Sequence, residues 1–170
     1  MTLVGVISDT HGNLPRMAYD ALVGSDFIVH AGDICSPNVI PELETIAPVY
    51  AVLGNNDYDE YGDDVGWFAR PVIDGVRFLV AHRPVDVAIT HAGSAAVAPG
   101  DPIPRVRIHG HTHVPRIERG KDASPSDLLI CPGAVNHVRS DLGRTIGKIE
   151  VDDGRILDAW IETLRGERVL

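Results

Sequence analysis

The chain has 170 residues, of which 44% are hydrophobic and 23% charged, and this balance is typical of a globular protein with one substantial core. Its formal net charge of -9 disfavours broad attraction to nucleic acid or anionic membranes. The two cysteines form no CxxC pair, and no segment has the roughly 20 apolar residues of a membrane helix, so we expect a cytoplasmic protein without nucleic-acid or membrane partners.

The first third of the chain alternates between strand-like and helix-like segments. Apolar runs predict strands at residues 2–8, 26–30 and 48–54. Helical spacing of apolar residues predicts helices at 14–23 and 38–47. This β-α-β-α-β order implies parallel strands with helices packed against them.

The remainder of the chain is richer in strands. After an acidic, irregular connection at 57–70, the segment 71–82 predicts a hairpin that turns at Asp74-Gly75. Residues 85–91 fit either a strand or a short helix, and 92–104 resemble a loop. Further strands are predicted at 105–110, 128–135, 144–154 and 155–164, with a second hairpin turn at Asp153-Gly154. We expect one domain over residues 1–170, with two sheets packed face to face.

Polar side chains follow each of the three predicted strands of the first half. They are Asp9, His11, Asp33, Asn55, Asn56 and Asp57. Taken singly, an Asp or Asn after a strand is typical of a turn or a helix cap. Because the carboxyl ends of parallel strands share one edge of a sheet, we expect the whole group to converge on one pocket.

Histidines of the second half could complete a metal site. His82 ends a predicted strand, and His111 and His113 lie in the segment GHTH. The combined ligand set is Asp9, His11, Asp33, Asn55, His82, His111 and His113. Mixed nitrogen and oxygen ligands suit Mn, Fe, Co, Ni or Zn. Seven ligands exceed the needs of one such ion, so we expect two ions with a shared carboxylate, the arrangement that phosphate-ester hydrolysis uses.

Other reactive side chains are interpreted as structural. In RIHGHTHVPR, Gly110 is expected to end a strand, so His109 belongs to that strand and only the two later histidines reach the site. His30, His137 and the thiol of Cys35 lie outside any partner motif. The pocket walls are expected to come from residues 58–70 and 83–104.

The order of the polar segments resembles a known family. SDTHG, GDI, GNND, a strand that ends in histidine, and GHTH match the pattern D-x-H, G-D, G-N-x-[DE], H, G-H-x-H of the calcineurin-like metallophosphoesterases. The chain is most similar to their small single-domain branch, the YfcE/MJ0936-type phosphodiesterases, to which the retromer subunit Vps29 is related. The resemblance implies an α/β fold, a four-layer α/β/β/α sandwich of two mixed sheets flanked by helices.

The resemblance also implies a ligand assignment and a reaction. Asp9, His11, Asp33 and His113 would hold one metal, Asp33 would bridge, and Asn55, His82 and His111 would complete the second site. A hydroxide between two divalent ions would attack the phosphorus of a phosphate ester, most simply a phosphodiester. Mn is the first choice of metal, with Ni, Fe, Co and Zn as alternatives.

Two positions depart from the family pattern. Many relatives have a histidine where this chain has Asn56, and an amide donates a hydrogen bond but delivers no proton to a leaving group. We still predict Asn56 and the adjacent Asp57 as the catalytic residues. Asp57 would orient either a neighbouring metal ligand or Asn56 itself. The middle histidine is ambiguous, since His82 has the better strand context and His91 the better local sequence. We prefer His82. Arg83 beside it could contact a phosphate or lie on the surface.

Three functions are compatible with these residues. The first is a metal-dependent phosphodiesterase acting on a small phosphate ester, and the complete ligand set favours it. The alternative is a non-catalytic Vps29-like interaction scaffold that keeps the fold. A nuclease is disfavoured because the chain is short and acidic. The sequence is compatible with a homo-oligomer but does not predict the oligomeric state.

Overall fold

The computed structural model describes residues 1–170 and contains two mixed β-sheets. The strands are β1 (Thr2–Ile7), β2 (Phe27–His30), β3 (Val49–Ala51), β4 (Phe68–Ala69), β5 (Val72–Ile73), β6 (Val76–Ala81), β7 (Val106–Ile108), β8 (Arg116–Arg119), β9 (Leu128–Cys131), β10 (Thr145–Asp152) and β11 (Arg155–Thr163). The helices are α1 (Arg16–Leu22) and α2 (Val39–Glu44), with 3-10 helices at Pro84–Val87 and Gly120–Ala123. None of these helices is long and apolar enough to cross a membrane.

The first sheet has the strand order β11-β10-β1-β2-β3. Strands β1, β2 and β3 run parallel, while β10 and β11 form an antiparallel hairpin against β1. The residues of β1 alternate between the two faces of the sheet, as extended backbone requires. Val4 and Val6 face the second sheet, whereas Ile7 faces α1 and α2 with Leu22 and Leu43.

The second sheet has the order β4-β6-β7-β9-β8, with β5 paired to β6. Its central strands β6, β7 and β9 are parallel. Phe78, Ile108 and Ile130 pack against the inner face of the first sheet and form the largest hydrophobic cluster with it. The two sheets therefore bury one common core, and the carboxyl ends of five parallel strands, β1, β2, β3, β6 and β7, carry the polar segments singled out above.

The outer face of the second sheet is covered by 3-10 helices rather than α-helices. Arg107 of β7 is buried there, and its guanidinium donates to the carbonyls of Val87, at 3.1 Å, and Ala123, at 2.6 Å. These bonds tie both 3-10 helices to the sheet. The predicted α/β sandwich of two mixed sheets flanked by helices is confirmed, with this short outer layer on one side.

Most predicted elements are present, and two strands were missed. The three parallel strands, both helices and both hairpins lie where the sequence placed them. The segment 85–91, predicted as strand or helix, begins within the 3-10 helix Pro84–Val87. Strand β4 lies inside the segment 57–70 that was predicted to be irregular, and β8 directly follows GHTHVP.

Candidate metal centre

The candidate site lies where the two sheets present the carboxyl ends of their parallel strands. Asp9 and His11 follow β1, Asp33 follows β2, and Asn55 follows β3. From the second sheet, His82 follows β6, and the GHTH segment follows β7. Both halves of the chain therefore contribute side chains to the same place.

Several of these residues have left-handed backbone conformations. The φ angles are 56° at Asp9, 46° at His11, 55° at Asp33, 68° at His111 and 58° at His113. Non-glycine residues rarely adopt this region, and its cost is usually met where function fixes the backbone. Each turn bends the chain sharply after a strand and directs the side chain toward the common pocket.

Four side chains form a compact first group. Asp9, His11, Asp33 and His113 each offer a ligand atom, and these atoms lie within 4.8 Å of one another. Oδ1 of Asp9 is 3.0 Å from Nε2 of His113 and 3.7 Å from Nε2 of His11. Oδ2 of Asp33 is also 3.7 Å from Nε2 of His11. One ion could contact all four residues.

A second group adjoins the first through Asp33. Nε2 of His82 lies 3.4 Å from Oδ2 of Asp33 and 3.3 Å from Nδ1 of His111. The same Nδ1 is 3.0 Å from Oδ1 of Asn55. Asp33 is thus between the two groups, which is the position that a shared carboxylate needs.

Backbone carbonyls orient two of the imidazoles. Nδ1 of His82 donates to the carbonyl of Ala31 at 2.7 Å, and Nδ1 of His113 donates to the carbonyl of His137 at 2.6 Å. In a neutral ring with its proton on Nδ1, the other nitrogen, Nε2, carries a lone pair directed into the pocket. Histidines that bind metals commonly use their second nitrogen in this way.

Asp9 carries the strongest sign that a cation belongs in the pocket. Its Oδ2 accepts from the hydroxyl of Ser8 at 2.6 Å and from the amide of His111 at 3.2 Å. Its Oδ1 is buried and has no hydrogen-bond partner, although it faces the Nε2 lone pair of His113. A buried acceptor without a partner is costly, and two facing lone pairs repel. A divalent ion between them would satisfy both, so the residues fit such an ion.

The two buried carboxylates differ in electrostatics. Burial raises the pKa of Asp9 above its ordinary value. Burial would also raise the pKa of Asp33, but hydrogen bonds from His82 and from the backbone and side chain of Asn56 outweigh it and lower that pKa. Asp33 is therefore held as the anion, the form that binds metal.

Asn56 and Asp57 support the loop around Asp33. The backbone amide of Asn56 donates to Oδ1 of Asp33 at 2.9 Å, and its side-chain amide donates to Oδ2 at 2.8 Å. Asp57 accepts from the backbone amides of Ile34, at 3.1 Å, and Cys35, at 2.8 Å. It also accepts from the amide of Gly54 at 2.7 Å and the hydroxyl of Tyr61 at 3.0 Å. These partners join the loops after β2 and β3.

The remaining histidines divide between core and surface. His91 is exposed on the loop after the first 3-10 helix, whereas His82 lies in the pocket. His109 is buried in the strand, and burial lowers its pKa to about 4. His30 is also buried, with a pKa lowered to about 4 by burial, and its ring hydrogen-bonds to Thr10 at 3.0 Å.

Gly110 is required by the close approach of the two sheets. A Cβ there would overlap the hydroxyl of Ser8 and lie 2.9 Å from Oδ2 of Asp9.

Burial raises the pKa of the Cys35 thiol to about 12, so this thiol is a poor nucleophile.

His137 is the site residue that sequence reasoning missed. Besides its carbonyl bond to His113, its exposed ring packs edge-on against His11, with ring centroids 4.8 Å apart. The segment CPGAVNH carries no ligand motif, so only the fold brings this residue to the pocket.

Comparison with known proteins agrees with the fold. Residues 2–154 match the Calcineurin-like phosphoesterase superfamily domain. The chain belongs to this family, and membership supports a hydrolase that binds divalent metal.

Two relatives extend the similarity over most of the chain. A probable metallophosphoesterase of Methanothermobacter thermautotrophicus is 34% identical, covering 94% of this chain and 91% of that protein. The phosphodiesterase MJ0936 of Methanocaldococcus jannaschii is 30% identical, covering 76% of this chain and 82% of that protein.

Solved structures share the fold at lower identity. The phosphoesterase YfcE of E. coli has a TM-score of 0.64 at 20% identity, covering 92% of this chain and 97% of its own. A Vps29 variant of Entamoeba histolytica has a TM-score of 0.67 at 20% identity, covering 98% of each chain. At this identity the likeness concerns the fold alone.

Proposed function

We propose that this protein is a divalent-metal-dependent phosphodiesterase with a dinuclear site. Asp9, His11, Asp33 and His113 would hold one ion, and Asp33 would be shared with the other. The second ion would be completed by Asn55, His82 and His111. The observation that carries the proposal is the unpartnered, buried Oδ1 of Asp9, which faces Nε2 of His113 at 3.0 Å.

The chemistry follows from the ligand set. When bound, the ions would lower the pKa of a coordinated water toward 7 and offset the charge of the phosphate oxygens. Mixed imidazole, amide and carboxylate ligands suit Mn, Ni, Fe, Co or Zn, and the family resemblance makes Mn the first choice. A small phosphate ester is the substrate class, and the relative called a phosphodiesterase supports a diester.

Asn56 and Asp57 are assigned to positioning. Asn56 donates two hydrogen bonds to Asp33 and so fixes the shared carboxylate. Its amide has no proton to give to a leaving group, so the enzyme is expected to favour esters whose leaving group needs no protonation. Asp57 fixes the loops that carry Asp33 and Asn55. A scaffold without catalysis is not favoured, because all seven ligand positions carry suitable side chains.

The two sheets are proposed to act as one domain over residues 1–170. The first sheet supplies Asp9, His11, Asp33 and Asn55, and the second supplies His82, His111 and His113. Neither half carries a complete ligand set.

The proposal is tested with bis(4-nitrophenyl) phosphate as substrate. Purified protein should hydrolyse it when Mn²⁺ is added and stop when EDTA is added. Asp33→Asn keeps the shape of the side chain but removes its charge, and it should reduce turnover to the metal-free background. The matched control His91→Ala should retain the wild-type rate. Absence of turnover with every divalent ion tried would refute the proposal.

A further inference from the structure

A cavity adjoins the second half of the candidate metal centre. It has a volume of about 340 Å³ and is lined by Leu53, Asn55, Trp67, His82, Arg83 and Asp86. Two of these residues, Asn55 and His82, are proposed metal ligands. Small-molecule sites usually occupy about 300–1,000 Å³, so the cavity can hold one substituent of a phosphate ester.

The backbone on both sides of Trp67 is fixed to the strands that carry those ligands. The carbonyl of Gly66 accepts from the amide of Leu53 at 2.8 Å, close to the end of β3. Phe68 pairs with Ala81 of β6, the residue before His82. Trp67 is therefore placed between the ends of β3 and β6 by regular hydrogen bonding.

The indole remains largely uncovered despite this ordered backbone. Trp67 is 61% exposed, although tryptophan is highly buried on average in folded proteins. An exposed aromatic face on a rigid segment beside a reactive centre is suited to stacking on a planar ring.

We propose that Trp67 is a substrate-binding residue, which stacks on a planar aromatic group of the phosphate ester while the phosphate lies at the metal centre. The inference rests on the proposed function and deepens it by naming the class of substituent. The indole would form one wall of the cavity. The proposed metal ligands Asn55 and His82 would orient the phosphate group at another wall.

Two charged residues in the cavity lining, Arg83 and Asp86, favour a nucleobase over a plain aryl ring. Arg83 donates through Nε and Nη2 to the carboxylate of Asp86, at 2.8 and 3.2 Å. This pairing leaves Nη1 as a free donor and keeps a carboxylate acceptor beside it. Donor and acceptor groups in the lining match the polar edge of a base, whereas a phenyl ring has no such edge.

Charge also selects the side of the indole that an anion would use. Trp67 also lines a second cavity, whose lining includes Asp57, Asp59 and Asp63. Those carboxylates would repel a phosphate. The anionic ester is therefore directed to the cavity beside Asn55 and His82.

A single-tryptophan protein tests the inference directly. The chain has two tryptophans, and Trp160 lies on β11, where it contacts Arg168. In a Trp160→Phe background, all tryptophan emission comes from Trp67. With Mn²⁺ present, titration with adenosine 5′-monophosphate should quench this emission in a saturable way. Ribose 5-phosphate, which lacks the base, should leave it nearly unchanged, and phenyl phosphate should bind more weakly than the nucleotide.

Variants at Trp67 provide the second readout. By calorimetry, Trp67→Ala should raise the Kd for adenosine 5′-monophosphate by roughly 5- to 150-fold, the usual effect of losing one stacking partner. Trp67→Phe should recover most of the affinity. Manganese content of each variant, measured on the same samples, shows whether the fold and metal centre are intact.

The outcomes separate this inference from the proposed function. Unchanged nucleotide affinity in a Trp67→Ala protein that keeps its metal would overturn the inference, and diesterase activity would still stand. Equal binding of phenyl phosphate and nucleotide would overturn the nucleobase assignment. Quenching by the nucleotide without metal-dependent hydrolysis would support the stacking role of Trp67 and count against the proposed function.

Discussion

At the scale of single residues, the site is a set of side chains held in costly backbone conformations around one unsatisfied oxygen. The left-handed turns at Asp9 and Asp33 direct both carboxylates inward. Oδ1 of Asp9 then has no hydrogen-bond partner, although Nε2 of His113 lies 3.0 Å away. Such strain and incomplete hydrogen bonding are expected where a ligand completes the site.

The choice between His82 and His91 gives the first prediction. His82→Ala should reduce the Mn²⁺ bound per chain from two ions toward one, because Nε2 of His82 lies within 3.4 Å of Asp33 and 3.3 Å of His111. The exposed His91 has no place in the pocket, so His91→Ala should still bind two ions. Calorimetric titration measures both. The reverse pattern would assign the ligand to His91.

Protons should compete with metal at His82. Burial alone would lower its pKa, but hydrogen bonds to Asp33 and to the Ala31 carbonyl raise it above the ordinary value. The metal-free protein therefore binds a proton below this raised pKa, and metal must displace it. Affinity for Mn²⁺ should fall as the pH is lowered through this raised pKa, and metal binding should release a proton. Affinity that does not change with pH there would contradict the ligand role of His82.

At the scale of elements, the strands position the ligands, and the hairpin turns hold the opposite end of the sandwich. The turns Asp74-Gly75 and Asp153-Gly154 have left-handed φ angles of 46°, 77°, 45° and 74°. They also contact each other, since the amide of Gly154 donates to the carbonyl of Asp74 at 2.7 Å. The two sheets are thus linked far from the pocket.

These turns offer a matched pair of substitutions. A Cβ on Gly154 would have only the carbonyl of Gly75 at 3.8 Å nearby, whereas a Cβ on Gly75 would lie 3.0 Å from the amide nitrogen of Gly154. Gly154→Ala should cost roughly 1–2 kcal/mol of unfolding free energy for its left-handed backbone. Gly75→Ala should cost more, because it adds this crowding. Urea unfolding measures both, and equal losses would show that crowding against Gly154 adds no cost.

The sequence predicted the elements that repeat a clear pattern. Apolar runs identified the parallel strands, and the Asp-Gly pairs identified both hairpins. Strand β4 has two residues, and β8 is the charged edge segment RIER, so neither shows an apolar or alternating pattern. They are strands because they pair with β6 and β9, and no local residue pattern predicts that pairing. The same reason hid His137, because only tertiary structure brings it to the pocket. Trp67, Arg83 and Asp86 line the cavity and fall within the segments 58–70 and 83–104 that were expected to form its walls.

At the scale of the whole molecule, two sheets with one shared core bring ligands from both halves of an acidic chain together. The net charge of -9 includes the buried Asp9 and Asp33, whose mutual repulsion bound cations would offset. The family motifs predicted the ligand set by residue. They did not predict the closure of the cavity, which depends on the segment around Trp67 that pairs with β6.

Metal should therefore stabilise the whole protein. Free Mn²⁺ at about 100 times its Kd should contribute about 2.7 kcal/mol for each ion bound, and each such contribution raises the Tm by roughly 5–10 °C for a chain of this size. Asp33→Asn should show little of this increase. Differential scanning calorimetry with Mn²⁺ or EDTA makes the comparison. Equal Tm values in the two conditions for the wild type would show that metal does not bind the folded state selectively.

The number of ions bound per chain tests the central claim most directly. Elemental analysis of protein equilibrated with Mn²⁺ and freed of excess metal should find two ions per wild-type chain. Asn55→Ala, which removes a ligand from the second group only, should bind one ion. A wild-type protein that retains no divalent ion, or an Asn55→Ala protein that retains both, would contradict the proposed dinuclear site.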